Sequence, residues 1–277
     1  MSATSLEFPI GSLTHGRPVT APDFRSAKPR GLKLSVITAY DYTSARLADD
    51  AGVDGILVGD SLGMVVQGHP TVIPVTLDEM VYHVKCVVRG TRHALVIGDL
   101  PFMTYQASSE QAVLSAGRLV KEAGAQAVKL EGGVRVMDQI RAVVEAGIPV
   151  MGHVGLTPQS VHQLGGFRVQ RDEDQLLADA EAVERAGAFA MVLECMPADL
   201  AAKVTATVSI PTIGIGAGPG CDGQVLVFHD LLGLYPDFRP KFAKRYADLG
   251  DQVRKAIETY TKEVREGTFP GPEHSFR

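Results

Sequence analysis

Ala127–Gly133 reads Ala-Val-Lys-Leu-Glu-Gly-Gly, a short strand running into a turn. Side chains two apart on a strand share a face. Lys129 and Glu131 therefore point one way, and Val128 and Leu130 the other, towards whatever covers the strand. A single charged strand end reads as a terminal salt bridge, but here the ending recurs. Gly55–Asp60 (Gly-Ile-Leu-Val-Gly-Asp), Ala94–Asp99 (Ala-Leu-Val-Ile-Gly-Asp) and Ala190–Glu194 (Ala-Met-Val-Leu-Glu) also finish on an acid, and Pro149–His153 finishes on a histidine. Independent accidents would not keep choosing the same end.

Outward from this stretch, apolar runs alternate with helical segments. Strands are predicted at Leu34–Thr38, in the runs ending at Asp60, Asp99, Glu131, His153 and Glu194, and at Pro211–Ile215 and Gln224–Phe228. Between them fall helices over Tyr42–Ala51, from Thr76 to Arg89, from Ser108 or Ser109 to Glu122, and over Val134–Ala146, Asp172–Ala186 and Pro197–Thr207, with more helix to about Glu266. Thr76 and Glu79 have capping-box spacing, and Gly124 and Gly187 are placed to stop their helices. Short strands alternating with helices indicate a parallel α/β fold. The count favours a (β/α)8 TIM barrel over an open doubly wound sheet. Gly216–Gly223 is too short and glycine-rich for a full helix, so that crossover is expected to be degenerate. Residues 1–30, rich in Pro, Ser, Thr and Arg, read as a mobile N-terminal arm, and residues 31–277 as a single barrel catalytic domain.

The 277-residue chain is 45% hydrophobic and 21% charged, an ordinary balance for a folded domain. A net charge of -5 argues against a nucleic-acid surface. No run approaches the roughly 18 apolar residues of a membrane span, and Met1–Glu7 lacks the layout of a secretory signal. The three cysteines, Cys86, Cys195 and Cys221, lack metal-ligand spacing and suit a reducing compartment. A cytoplasmic location is expected.

In a barrel the C-terminal strand ends form one rim, which carries the active site, so Asp60, Asp99, Glu131, His153 and Glu194 should converge. Crowded carboxylates cannot all stay ionised alone: either some take up protons or a cation binds. Oxygen ligands without cysteine favour a hard ion such as Mg2+. Asp60, Asp99 and Glu131 come from adjacent strands and form the natural metal group. Glu194 stands apart across the mouth, placed to act as a base. Gly59-Asp60-Ser61-Leu62 matches a serine-esterase motif, but none of the eight histidines lies three residues after an aspartate, as that chemistry needs. Gly214–Gly220 fails the dinucleotide fingerprint, since Pro219 replaces the third glycine and no long helix follows. It reads equally as a close-approach loop for an anion or flat ligand and as a plain tight turn. Glu273-His274-Ser275 reads as a solvated tail.

Ile37–Tyr42, Val58–Gly63, Gly98–Met103, Val128–Gly133, Gly152–Ser160, Leu193–Cys195, Ile213–Gly218, Asp222–Val227 and Glu273–Phe276 occur together and in order. Over residues 31–276 the chain closely resembles the ketopantoate (3-methyl-2-oxobutanoate) hydroxymethyltransferase family. The resemblance implies a barrel related to the phosphoenolpyruvate mutase/isocitrate lyase type, an Mg2+-dependent enzyme of pantothenate biosynthesis, and a homodecamer of two pentameric rings. Carried over by position, Asp60 and Asp99 match metal and substrate ligands, and Glu131 the third metal carboxylate. Ser61 and Lys129 match contacts to the oxo acid, His153 a pocket histidine, and Glu194 the proton acceptor. The implied reaction deprotonates 3-methyl-2-oxobutanoate at C3, stabilises the enolate with Mg2+, and adds the one-carbon unit of 5,10-methylenetetrahydrofolate with a water, giving 2-dehydropantoate and tetrahydrofolate. Two rivals are a carbon–carbon lyase or mutase acting on another 2-oxo acid, and a non-catalytic metabolite-binding barrel. The first typically uses a Lys-Lys-Cys-Gly-His loop that this chain lacks; the second needs no base at Glu194.

Overall fold

Eight parallel strands close a barrel in chain order: β1 Leu34–Thr38, β2 Gly55–Val58, β3 Leu95–Asp99, β4 Ala127–Lys129, β5 Val150–Gly155, β6 Ala190–Glu194, β7 Thr212–Ile215 and β8 Gly223–Leu226. The computed structural model describes residues 13–14, 16–235 and 240–276. Their contacts divide the chain into two units, Met1–Val227, which holds the barrel, and Phe228–Arg277.

The period-two pattern explains the closure. Leu34, Val36, Leu57, Leu95, Ile97, Ala127, Met151, Ala190, Val192, Ile213, Ile215 and Val225 form one buried cluster. On alternate positions Val96, Val128, Leu130, Val150, Met191 and Leu193 are buried as well. Continuing the inward series by two residues on β3 to β6 leads to Asp99, Lys129, Glu131, His153 and Glu194. The apolar core thus ends, strand by strand, in charge. Parallel pairing sets Asp99 beside Lys129 and Gly155 beside Glu194, which puts these ends at one level.

The covering helices start largely where the sequence places them. Thr76 and Glu79 form a reciprocal capping box on helix Leu77–Gly90, Ser108 caps Ser109–Lys121, and Asp172 caps Glu173–Arg185. Residues 216–222 link β7 to β8 without a helix, as their glycine content dictates. Several boundaries differ: β2 and β4 stop at Val58 and Lys129, two residues before the expected Asp60 and Glu131, and β5 runs past His153 to Gly155. Strand β8 begins at Gly223 and ends at Leu226, and a 3-10 turn, Val134–Val136, precedes helix Met137–Glu145.

The expected mobile arm departs from its reading over part of its length. Residues 1–12 and 15 lie outside the described residues, but Ala21–Ala27 is a helix. Thr20 caps it reciprocally with Asp23, and Pro22 stands in its first turn, where a missing N–H costs nothing. Its Phe24 and Ala27 join the barrel cluster. The Phe24 ring meets Phe189 edge-on, with centroids 5.9 Å apart, closing the N-terminal end of the barrel. In the second unit, Leu249–Glu266 is a helix stopped by a left-handed Gly267. No helix among the described residues is long and apolar enough to cross a membrane.

Candidate active site

Asp60 follows β2 by two residues and is buried. A Cβ at the intervening Gly59 would stand 2.8 Å from Ser61 Oγ, which would have to turn aside. The Asp60 N–H donates to Asp99 Oδ2 at 3.2 Å. Ser61 Oγ lies 2.8 Å from the Tyr40 hydroxyl and is only partly covered.

Lys129 extends from β4 to Asp99 on β3, with Nζ donating to both carboxylate oxygens at 2.8 Å. Glu131 Oε1 lies 3.9 Å from the same ammonium. His153 stands between two acids, with Nδ1 3.4 Å from Glu131 Oε1 and Nε2 3.2 Å from Glu194 Oε2. Both contacts are off the hydrogen-bonding direction and act as ion pairs. Glu194 was expected to stand apart, and the structure instead ties it to the group through His153. Its side chain keeps 17% exposure, against 5% or less for Asp99, Lys129, Glu131 and His153. Cys195 follows with a left-handed φ of 48°, held by its N–H to Ile215 O and its carbonyl from Gln170 N–H, both 2.9 Å. Such strain fixes the direction in which β6 ends.

The electrostatics follow from burial and neighbours. Burial pushes the Asp60 carboxyl well above the usual range, and Asp99 and Glu131 add to it. Burial raises Asp99 too, against the pull of Lys129. For Glu131 burial is outweighed by His153 and Lys129, which hold it below the ordinary value. Burial disfavours the Lys129 charge, yet Asp99, Glu131 and Asp60 together raise its pKa. At His153 burial and Lys129 oppose the charge, but Glu131 and Glu194 lift it to about 9. The Cys195 thiol, pushed to about 12 by burial and Glu194, is no nucleophile at neutral pH.

Does this set suit a divalent cation? Among the described residues no three His, Cys, Asp or Glu side chains form a ready metal cage. The reason is visible: Lys129 occupies the ground between Asp99 and Glu131. The donor chemistry nevertheless fits. Four carboxylates (Asp60, Asp99, Glu131 and Glu194) face two cations, an excess of two negative charges when all are ionised. Asp60 Oδ2 accepts from Gln159 at 2.9 Å, whereas Oδ1 accepts from none of the described residues. A buried carboxylate with a spare oxygen among other acids is the environment a hard cation stabilises.

A ketopantoate hydroxymethyltransferase family profile matches residues 18–272. The 3-methyl-2-oxobutanoate hydroxymethyltransferase of Moorella thermoacetica is 60% identical over 263 residues, covering 94% of this chain and 98% of that protein. The enzyme of the same name from Chloroflexus aggregans is 60% identical over 262 residues, covering 93% of each chain. This chain belongs to the ketopantoate hydroxymethyltransferase family. Solved structures extend the likeness in fold alone. Phosphonopyruvate hydrolase superposes with a TM-score of 0.63 at 14% identity, over 94% of this chain and 92% of that one. A 2,3-dimethylmalate lyase of the PEP mutase/isocitrate lyase superfamily gives 0.59 at 19%, over 93% and 91%.

Three residues of the candidate site carried no role in the sequence reading. Gln159, on the 3-10 turn Pro158–Ser160, is buried between Asp60, Glu131 and Leu100. Tyr105 accepts the Glu131 N–H at 3.1 Å and donates to Gln159 Oε1 at 2.7 Å, its proton retained because burial raises its pKa well above the ordinary value. Tyr40 holds Ser61. Their signal was faint: uncharged residues inside Gly152–Ser160 and Ile37–Tyr42, and one tyrosine just beyond Gly98–Met103.

Proposed function

We propose that this barrel transfers a hydroxymethyl group to 3-methyl-2-oxobutanoate, with 5,10-methylenetetrahydrofolate as the one-carbon donor, as the first step of pantothenate biosynthesis. The observation that carries the reading is the His153 bridge. It holds a partly exposed carboxylate, Glu194, at a fixed distance from the buried Glu131, whose neighbours are Lys129 and Asp99. A binder has no use for a partly exposed carboxylate paired with a buried histidine beside this acid cluster.

Asp60 and Asp99, with Glu131 as the third acid, would hold the Mg2+. The ion, when bound, supplies Lewis acidity towards the adjacent keto and carboxylate oxygens of a 2-oxo acid. The chain's own residues do the rest. Lys129 gives two of its protons to Asp99 and keeps a third for the substrate carboxylate. Ser61 Oγ, steadied by Tyr40, donates to the same carboxylate. His153, charged at neutral pH, orients Glu194 rather than competing with it as a base. Glu194 takes the C3 proton. Water releases the one-carbon unit as formaldehyde, breaking both C–N bonds to the methylene carbon and freeing tetrahydrofolate. The C3 carbanion adds to that carbonyl, whose oxygen takes up a proton to become the new hydroxyl. The assembly is a cytoplasmic homodecamer in this reading. Incubation of the protein with the oxo acid, methylenetetrahydrofolate and Mg2+ should give 2-dehydropantoate by mass spectrometry. No product with all three present would reject the function.

A further inference from the structure

Asp60 and Glu131 come from different strand ends, yet one residue holds both. Gln159 donates its side-chain Nε2–H to Asp60 Oδ2 at 2.9 Å and its backbone N–H to Glu131 Oε2 at 3.0 Å. The other partners of the amide fix which end faces Asp60. The second Nε2 proton goes to the Leu100 carbonyl at 2.9 Å. The Oε1 atom accepts from Gln106 Nε2 at 3.0 Å and lies 2.7 Å from the Tyr105 hydroxyl, whose one proton it shares with the Glu131 carbonyl at 3.0 Å. Both donors and both acceptor positions of the amide are in use. A flipped amide would set its oxygen against a carboxylate and a carbonyl, so only one orientation is stable. Lys129 similarly engages both oxygens of Asp99.

A carboxylate meets a cation through one oxygen or clamps it through two. Mg2+ demands a near-ideal octahedron, which the narrow bite of a two-oxygen clamp distorts, whereas Ca2+ takes six to eight oxygens and accepts that clamp. Asp60 Oδ2 and Glu131 Oε2 each carry a hydrogen bond from Gln159. Each of these oxygens keeps a second lone pair, but the hydrogen bond competes with an ion for its electron density and so favours ligation through the other oxygen of the same acid. We propose that Gln159, oriented by Tyr105, is the positioning residue that biases these acids towards one-oxygen ligation and so selects a small octahedral divalent ion over Ca2+. The inference rests on the reading that Asp60, Asp99 and Glu131 hold the ion.

Isothermal titration calorimetry with MgCl2 and with CaCl2, on the full chain without substrate, tests it. The wild type should bind Mg2+ more tightly than Ca2+. Loss of an outer partner typically costs roughly 10- to 100-fold in metal affinity. Gln159→Leu should weaken Mg2+ by about that factor and leave Ca2+ unchanged or tighter. Tyr105→Phe keeps the glutamine but frees one side of its amide, and should move the Ca2+/Mg2+ ratio the same way by less. Circular dichroism verifies folding of each variant. An equal loss for both ions would make Gln159 a structural support only and overturn the proposal. If Gln159→Leu does not fold, an unchanged ratio in folded Tyr105→Phe overturns it as well. A wild type that binds neither ion removes the metal reading itself, and the selectivity with it.

Discussion

At the lip of the barrel Glu194 combines access with restraint: it is partly open to solvent, and His153 fixes it from behind. Glu194→Gln keeps the shape and removes the base. Oxo-acid binding should change little, while exchange of the C3 proton with deuterated solvent should fall by about 100- to 10,000-fold. Proton NMR of 3-methyl-2-oxobutanoate in deuterated water, without folate, reads this directly, and wild-type exchange in a folded variant would exclude Glu194 as the base. Lys129 carries a different load. Its ammonium is the one lysine or arginine charge set against buried Asp99 among the described ion pairs. Lys129→Met strands that carboxylate, and removing one partner of a buried pair costs about 3–5 kcal/mol. Urea denaturation should show a loss of that size. A loss below about 1 kcal/mol, the level of a surface pair, would mean that the acids rearrange or protonate without cost.

Among the elements, the helix over Ala21–Ala27 turns Ala21, Phe24 and Ala27 into the interior. Phe24 is fully buried between the barrel floor and Phe189, so Phe24→Ala should destabilise by about 3–5 kcal/mol through lost burial and a residual cavity. A thermal melt checks it; an unchanged midpoint would mean that the barrel floor closes without the helix. The sequence contained this helix's signals, a Thr20-to-Asp23 capping box with Pro22 between, but seven residues are too few to display a helical period. The strand ends were legible because a period of two needs only four residues to declare itself, and it carried Asp99, Lys129, His153 and Glu194 to one rim. Gln159 was not legible. It is an uncharged turn residue whose role depends on meeting Asp60, 99 positions away, and Leu100, 59 away. Local pattern records which face a side chain takes, and it does not record what the closed barrel brings opposite.

For the molecule as a whole, the barrel stands in tension with its own site. Asp60 is buried beside Asp99 and Glu131, and both burial and their charges work against its ionised form. In the absence of a cation this group weakens the fold; with one bound, the same charges become attractive. Asp60→Asn separates the two conditions. The amide is close in shape, and its oxygen can still accept from Gln159 Nε2, so packing is kept while the repulsion goes. In EDTA the variant should therefore be more stable than the wild type, by about 1 kcal/mol, as when a functional strain is relieved. In Mg2+ the order should reverse. Ligand at 100 times its Kd stabilises the wild type by about 2.7 kcal/mol, or roughly 5–10 °C in melting midpoint for a chain of this size. The variant, lacking the carboxylate, should gain little. Paired melts in EDTA and in saturating MgCl2 give all four values. A variant less stable than the wild type in both conditions would show that Asp60 serves the fold rather than the ion, and the assignment of the buried acids to a cation would fall.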